Sequence, residues 1–203
     1  KLDGQQAPHI SSVDLAQNEI RYAVRGGGRQ ADGAWTAETV ADAGDGSYDT
    51  SLAVDGGGVV HVGYYYEIPL SSAQQLEYAY RDASGWHVEQ LYSMSLYGGS
   101  LSLALAPDGQ PCIGYSDSAV VYAWRTASGW QKQGAAGLGQ DVSMALTAGG
   151  WPRVSFYESM YHRLVFAYKD DTGWHSEMVE SDVGASGGHP SLAVDASGNP
   201  HLS

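Results

Sequence analysis

The sequence predicts an all-β chain built as a β-propeller of four-stranded antiparallel blades, and three observations carry that expectation. An alternating apolar pattern recurs four times, a Gly-containing turn delivers one tryptophan per recurrence, and no helical periodicity interrupts them. The repeats are placed at residues 1–41, 42–92, 93–134 and 135–180, with the start of a further repeat at 181–203.

The first strand of each repeat, strand A, is read from Ser51-Leu-Ala-Val-Asp55, Ser102-Leu-Ala-Leu-Ala106, Ser143-Met-Ala-Leu-Thr147 and Ser191-Leu-Ala-Val-Asp195. A turn follows each copy (Gly56 to Gly58, Asp108-Gly109, Gly149-Gly150, Ser197-Gly198), where hairpins demand positive φ. Strand B comes next as Val60 to Tyr64, Pro111 to Tyr115 and Pro152 to Phe156. Strand C reads Ile20-Arg-Tyr-Ala-Val-Arg25, Leu76-Glu-Tyr-Ala-Tyr-Arg81, Val120-Val-Tyr-Ala-Trp-Arg125 and Leu164-Val-Phe-Ala-Tyr-Lys169, with the period of two that marks a strand. Strand D opens at Trp35, Trp86, Trp130 and Trp174, at intervals of 51, 44 and 44 residues. A four-stranded meander cannot cover both its own faces, so successive blades must pack face to face. An aligned β-sandwich also uses short strands, but it does not require register-matched repeats of this length.

Residues 1–11 align without a gap on residues 193–203, sharing Asp3/Asp195, Pro8/Pro200, His9/His201 and Ser11/Ser203. The same A-to-B hairpin therefore occurs at both ends. The expectation drawn from this is a fragment of a larger propeller; the alternatives are a four-bladed ring closed by the C-terminal strand, or two chains completing one ring by self-association of incomplete end blades.

Composition narrows the function classes. Ten Lys plus Arg against 23 Asp plus Glu give a net charge of −13, which repels nucleic-acid backbones and anionic lipid surfaces. No apolar run approaches the ~20 residues of a membrane helix, so no membrane insertion is expected. Fourteen tyrosines and six tryptophans against two phenylalanines favour half-exposed sheet positions, where a ring packs while its polar tip stays wet. The single cysteine, Cys112, excludes an internal disulfide and a cysteine metal cluster. Residues 1–10 do not resemble a signal peptide, so the sequence reads as a mature form or an excised piece.

Repeats of the form Ser-Leu-Ala-Val-Asp-x-x-Gly-x-Pro-His-(Ile/Leu)-Ser, followed by an aromatic C strand and a Gly-Trp turn, resemble the uncharacterised bacterial β-propeller proteins related to the BNR/Asp-box group. The resemblance covers essentially the whole chain and implies fold rather than activity. It also implies that the D-to-A and B-to-C connections share one face around a central channel, where ligand sites are expected. Asp82-Ala-Ser-Gly-Trp86 lacks the spacing of the Asp-box between Gly and Trp, which weighs against a sialidase.

Equivalent positions then nominate site residues. Asp49, Ser100, Asp141 and His189 stand two residues before each strand-A serine and are expected to ring the channel mouth. Carboxylates and an imidazole suit a cation, calcium included, or a polar ligand; solvated loop residues are the alternative. At the end of strand B stand Asp14, Tyr66, Asp117 and Glu158, with Ser12, Tyr64, Tyr115 and Phe156 two positions earlier and Tyr157 adjacent. Aromatic rings beside carboxylates match sugar recognition, the ring covering C–H faces while the acid accepts hydroxyl protons; ordinary strand-end aromatics would look the same. Tyr48, Tyr97, Tyr161 and His162 extend that surface. His9, His61 and His201 occupy one column inside strand B, where Cys112 and Arg153 replace them, so packed histidines are expected rather than metal ligands. The acidic loop Asp42 to Asp49 lacks an EF-hand register. Arg25, Arg81 and Arg125 are expected on the opposite face, beside the C-to-D turn.

The leading expectation is a secreted or cell-surface binding module, with no cofactor, for carbohydrate or a protein partner. The rivals are a carbohydrate-active enzyme using Asp117 and Glu158 as acid and base across one glycosidic bond, and a structural interaction scaffold.

Overall fold

The computed structural model describes residues 1–26, 33–45, 49–71, 73–94, 99–183 and 188–203. Among them there is no helix, and the strands form up-and-down antiparallel sheets. The chain divides into two compact units, Lys1–Tyr97 and Gly98–Ser203.

The first unit holds a three-stranded sheet of β1 (His9–Asp14), β2 (Glu19–Arg25) and β3 (Trp35–Asp42), and a four-stranded sheet of β4 (Thr50–Val54), β5 (Val60–Glu67), β6 (Gln74–Asp82) and β7 (Gly85–Ser93). The second holds β8 (Leu101–Leu105), β9 (Pro111–Ser116), β10 (Val120–Thr126) and β11 (Gly129–Ala136), then β12 (Gln140–Leu146), β13 (Pro152–Glu158), β14 (Arg163–Asp170) and β15 (Gly173–Glu180). A two-stranded hairpin follows, β16 (Leu192–Val194) with β17 (Pro200–Leu202). Strands A to D of the sequence thus become consecutive neighbours of one sheet, because short turns between alternating runs favour the nearest antiparallel partner.

Both turn types are organised by side chains. In the A-to-B turn, Asp55 Oδ1 accepts from the backbone N–H of Gly57 and Val59, both at 2.8 Å, and Asp3 and Asp195 do the same in their hairpins. In the C-to-D turn, Asp82 Oδ1 accepts from the Ser84 N–H and hydroxyl, both at 2.7 Å; Asp170 and Thr172 repeat it. Gly85, Gly129 and Gly173 close that turn at φ of 119°, 103° and 130°, which explains the glycine before Trp86, Trp130 and Trp174.

The tryptophans hold consecutive sheets together. Trp86 of β7 meets Tyr22 of β2 edge-on, with ring centroids 5.6 Å apart at 70°. Trp174 of β15 meets Tyr122 of β10 at 5.8 Å and 64°. Edge-to-face contact of this kind adds about 0.5–1.5 kcal/mol beyond the buried area. Around the first contact Ile20, Val40, Leu52, Val60, Val62, Tyr64 and Ala79 form one core; around the second, Val120, Val142, Met144, Val154, Phe156 and Val165 form another.

The strand-A serines are structural as well. Ser102 Oγ accepts from the Met144 N–H of the next sheet at 3.0 Å, and Ser143 Oγ from the Leu192 N–H at 3.0 Å. Each serine satisfies a backbone donor that its own ladder leaves open, which is why the residue recurs.

Candidate functional site

Three of the four tyrosines nominated on strand B are buried. Tyr64 and Tyr115 have 0% exposure and Tyr157 3%, so three of the nominated rings belong to the core and offer no face to a sugar. The reason is register: they lie on strands whose two faces are both covered, and alternation alone does not separate a rim from a covered face. The Tyr64 hydroxyl donates to Glu77 Oε2 at 2.7 Å. Burial, and then the nearby Asp42, push the Glu77 carboxyl above its ordinary range, while the Tyr64 bond opposes that shift. Tyr66 is half-buried over Gly44, and burial followed by the charges of Asp42 and Glu77 raises its phenol.

In the second unit Glu158 is held by its own strand pair. Arg163 donates to Glu158 Oε2 through Nε at 2.9 Å and through Nη2 at 2.5 Å, and its guanidinium lies 4.4 Å from the Tyr161 ring. The Tyr157 hydroxyl meets His162 Nδ1 at 2.8 Å. Glu158 and Arg163 line a cleft of about 260 Å³ with Phe156, Ser176 and Glu177. Asp117 follows β9 in a bend and is partly exposed, its N–H donating to Ala119 O. Asp141 and His189, expected as members of one ring, do meet: Nδ1 of His189 is 3.3 Å from Oδ1 of Asp141, and both residues have positive φ. Ser100 of that column accepts from the Val142 N–H instead. Asp49 is partly buried. Tyr48, Tyr97 and part of the acidic loop at 46–48 lie outside the described residues.

The histidine column pairs with strand C. His9 Nδ1 and Tyr22 Oη are 2.6 Å apart, as are His61 Nδ1 and Tyr78 Oη. Asp3 and Asp55 stand behind, their Oδ2 atoms 3.3 and 3.9 Å from the Nε2 of His9 and His61. In β9 the thiol of Cys112 takes the place of the imidazole and accepts from the Tyr122 hydroxyl at 3.2 Å.

A site that the columns of strand ends did not nominate lies between the two sheets of the first unit. A cleft of about 250 Å³ is lined by Tyr22, Val24, Thr36, Ala37, Glu38 and Arg81. Arg81 Nε lies 2.7 Å from Glu38 Oε1 and Nη2 donates to Oε2 at 3.4 Å, joining β6 to β3. Both side chains are close to half exposed, and such a pair contributes only ~0–1 kcal/mol to stability. What it does provide is a fixed donor and a fixed acceptor lining the cleft beside Val24 and Ala37. Tyr22 is buried, and desolvation raises its phenol to about 12, so at neutral pH it is an uncharged ring. Trp86 packs against that ring with its indole Nε1 buried and without a hydrogen-bond partner among the described residues. Register places the parts: Tyr22 pairs with Glu38 across β2 and β3, and Arg81 with Trp86 across β6 and β7. The sequence signal was the Arg81 column, set aside because it lies beside the C-to-D turn.

No known protein-family profile matches the chain, and no curated protein does. Solved structures do. An engineered GH43 glycoside hydrolase with endo-xylanase and exo-arabinofuranosidase activity superposes over 100% of this chain and 51% of its own, with a TM-score of 0.54 and 11% identity. The SapL1 lectin in complex with alpha methyl fucoside covers 87% of this chain and 60% of its own, with a TM-score of 0.64 and 14% identity. An alpha-L-arabinofuranosidase from Lactobacillus brevis covers 100% of this chain and 80% of its own, at 0.58 and 11%. The fold is that of a β-propeller. The chain spans about half the length of the first of these structures and 60% of the lectin. At such identities the likeness concerns fold. The glycoside hydrolases and the lectin among these neighbours are propeller proteins, and no family profile supports the BNR/Asp-box group in particular.

Proposed function

We propose that the chain is a carbohydrate-binding module that seats one neutral sugar ring in the cleft between β2–β3 and β6. The observation that carries this reading is the Arg81–Glu38 pair, which joins two sheets and lines one cleft with Val24 and Ala37. Guanidinium N–H groups donate to sugar hydroxyls and a carboxylate accepts from them, and such charge-assisted bonds are roughly twice as strong as neutral ones. Val24 and Ala37, which are not buried, supply apolar surface for C–H groups, while the Tyr22 ring that also lines the cleft belongs to the core. A volume of about 250 Å³ lies just below the ~300–1,000 Å³ usual for drug-sized ligands, which suits a single ring rather than a long chain. Both a lectin and glycan-cleaving enzymes stand among the structural neighbours, in keeping with a sugar ligand.

Hydrolysis by Asp117 and Glu158 is the weaker reading, since it needs two carboxyls free to exchange protons across one bond, and Glu158 Oε2 is engaged by two nitrogens of Arg163. An extracellular or cell-surface setting belongs to the same proposal, as does the relationship to BNR-type repeats.

The experiment is a glycan-array screen of the wild-type chain beside Glu38→Ala and Arg81→Ala, with circular dichroism to establish that each variant is folded. Binding by the wild type that drops by about tenfold or more in both variants is the expected result, as for loss of one charge-assisted hydrogen bond. A blank array, or binding indifferent to both substitutions, removes the proposal.

A further inference from the structure

The second unit repeats the strand pairing and the Trp-on-Tyr contact of that cleft. Tyr122 pairs with Gln133 across β10 and β11, as Tyr22 pairs with Glu38. Lys169 pairs with Trp174 across β14 and β15, as Arg81 pairs with Trp86. Trp174 meets Tyr122 edge-on as Trp86 meets Tyr22, and its indole Nε1 too is buried without a hydrogen-bond partner among the described residues. A polar bridge again joins the two sheets: Lys169 Nζ donates to Gln133 Oε1 at 2.9 Å.

Five of the six lining positions differ, Thr36 and Ala37 being replaced by Gln131 and Lys132, and the other three exchanges bear most on what such a site would hold. Glu38 becomes Gln133, so the cation across the slot loses its counter-charge. Arg81 becomes Lys169, a compact point charge in place of a planar fork. Val24 becomes Trp124, and Lys169 Nζ stands 5.4 Å from the centre of that ring. Among the described residues no carboxylate lies within ion-pair distance of Lys169. Its neighbour Asp170 is bound into the turn by Thr172 and His175 and is held down at about 2 by those contacts.

We infer that this second slot selects sugars bearing a carboxylate, the uronates: the ring lies along Trp124, Lys169 takes the carboxylate, and Gln133 turns to a hydroxyl. The inference rests on the carbohydrate-binding reading of the first cleft and deepens it to two sites of opposite preference, one for neutral rings and one for anionic rings. The net charge of −13 does not prevent this, because at physiological salt the field of distant carboxylates is screened within about 8 Å while the Lys169 contact is direct.

Each site carries its own reporter, the indole N–H signal of Trp86 or Trp174 in a nitrogen-15 NMR spectrum, to be assigned from Trp86→Phe and Trp174→Phe. The probes are the methyl glycosides of glucuronate, galacturonate and mannuronate, each beside its neutral hexoside, titrated to tens of millimolar. The expected result is that at least one uronate moves the Trp174 signal, its neutral partner does so about tenfold more weakly, and Lys169→Gln removes the difference. Gln133→Glu, which restores the charge pattern of the first cleft, should reverse the preference at Trp174 and leave Trp86 unaffected. Equal response of Trp174 to uronate and hexoside, or no response while neutral sugars move Trp86, overturns this inference and leaves the first cleft standing. Silence of both indoles with every probe overturns both.

Discussion

The Lys1–Tyr97 and Gly98–Ser203 units share one hairpin plan but fill the same internal position with different chemistry. In the first, His9 and His61 each bond a buried tyrosine hydroxyl at 2.6 Å with an aspartate behind. In the second, Cys112 accepts from Tyr122, and Arg153 turns away to donate to the Pro152 and Lys169 carbonyls at 3.1 and 3.0 Å. Where the imidazole is lost to Arg153, the equivalent of the tyrosine is Phe166, which has no hydroxyl to leave stranded. The hydroxyl is thus kept where a partner that can accept remains and is absent where none does, as the satisfaction of buried polar groups demands.

The largest effects should come from the device that the two units have in common. Trp86→Ala and Trp174→Ala should each lower stability by about 3–5 kcal/mol in urea unfolding followed by circular dichroism. Trp35→Ala, at a ring 48% exposed, should cost under ~0.5 kcal/mol. A similar loss in all three would mean that the edge-on contacts do not hold the sheets together.

His61→Ala should cost about 2–4 kcal/mol, because it strands the buried Tyr78 hydroxyl, and Cys112→Ala only ~1–2 kcal/mol, because a thiol is a weak acceptor. Equal losses would erase the contrast between the units. Tyr78→Phe against Tyr122→Phe sharpens it further, with ~1–2 kcal/mol expected for the first and less than ~1 kcal/mol for the second, read from the same unfolding curves.

The smallest effect concerns the C-to-D turns, which the units share. Asp82 is held down at about 2 by the Ser84 hydroxyl first and then by His87, and Asp170 likewise by Thr172 and His175. A depressed carboxyl stabilises the fold above its ordinary value of 3.8 and loses that contribution as pH falls from there towards 2. Urea midpoints should accordingly drop over this window, and Asp82→Asn with Asp170→Asn should flatten the drop. An unchanged slope in the double variant would assign the acid sensitivity to other groups.

Much of the fold was legible because its causes are local. Alternation in Leu76 to Arg81 and its three counterparts marks strand C, and the Gly-containing turns after each strand A mark hairpins; each needs only a few adjacent residues. His9 and His61 are packed as expected, each buried against a tyrosine hydroxyl, whereas His201 of the same column is exposed. The site was far less legible. Tyr64, Tyr115 and Tyr157 carry the composition of a sugar platform, yet all three are buried. Conversely, Glu38 and Arg81, separated by 43 positions in the chain, meet at 2.7 Å. No pattern within either segment announces that meeting.

What the sequence determined by itself is the repeat, its strand order and its turns, because nearest-neighbour pairing, period-two alternation and side-chain capping are written into short stretches of chain. What only the tertiary structure decided is which face of each strand stays open and which side chains meet between sheets. Those depend on how successive sheets pack, with Trp86 set on Tyr22 and Trp174 on Tyr122, and that packing creates the cleft where a donor and an acceptor from two sheets come together.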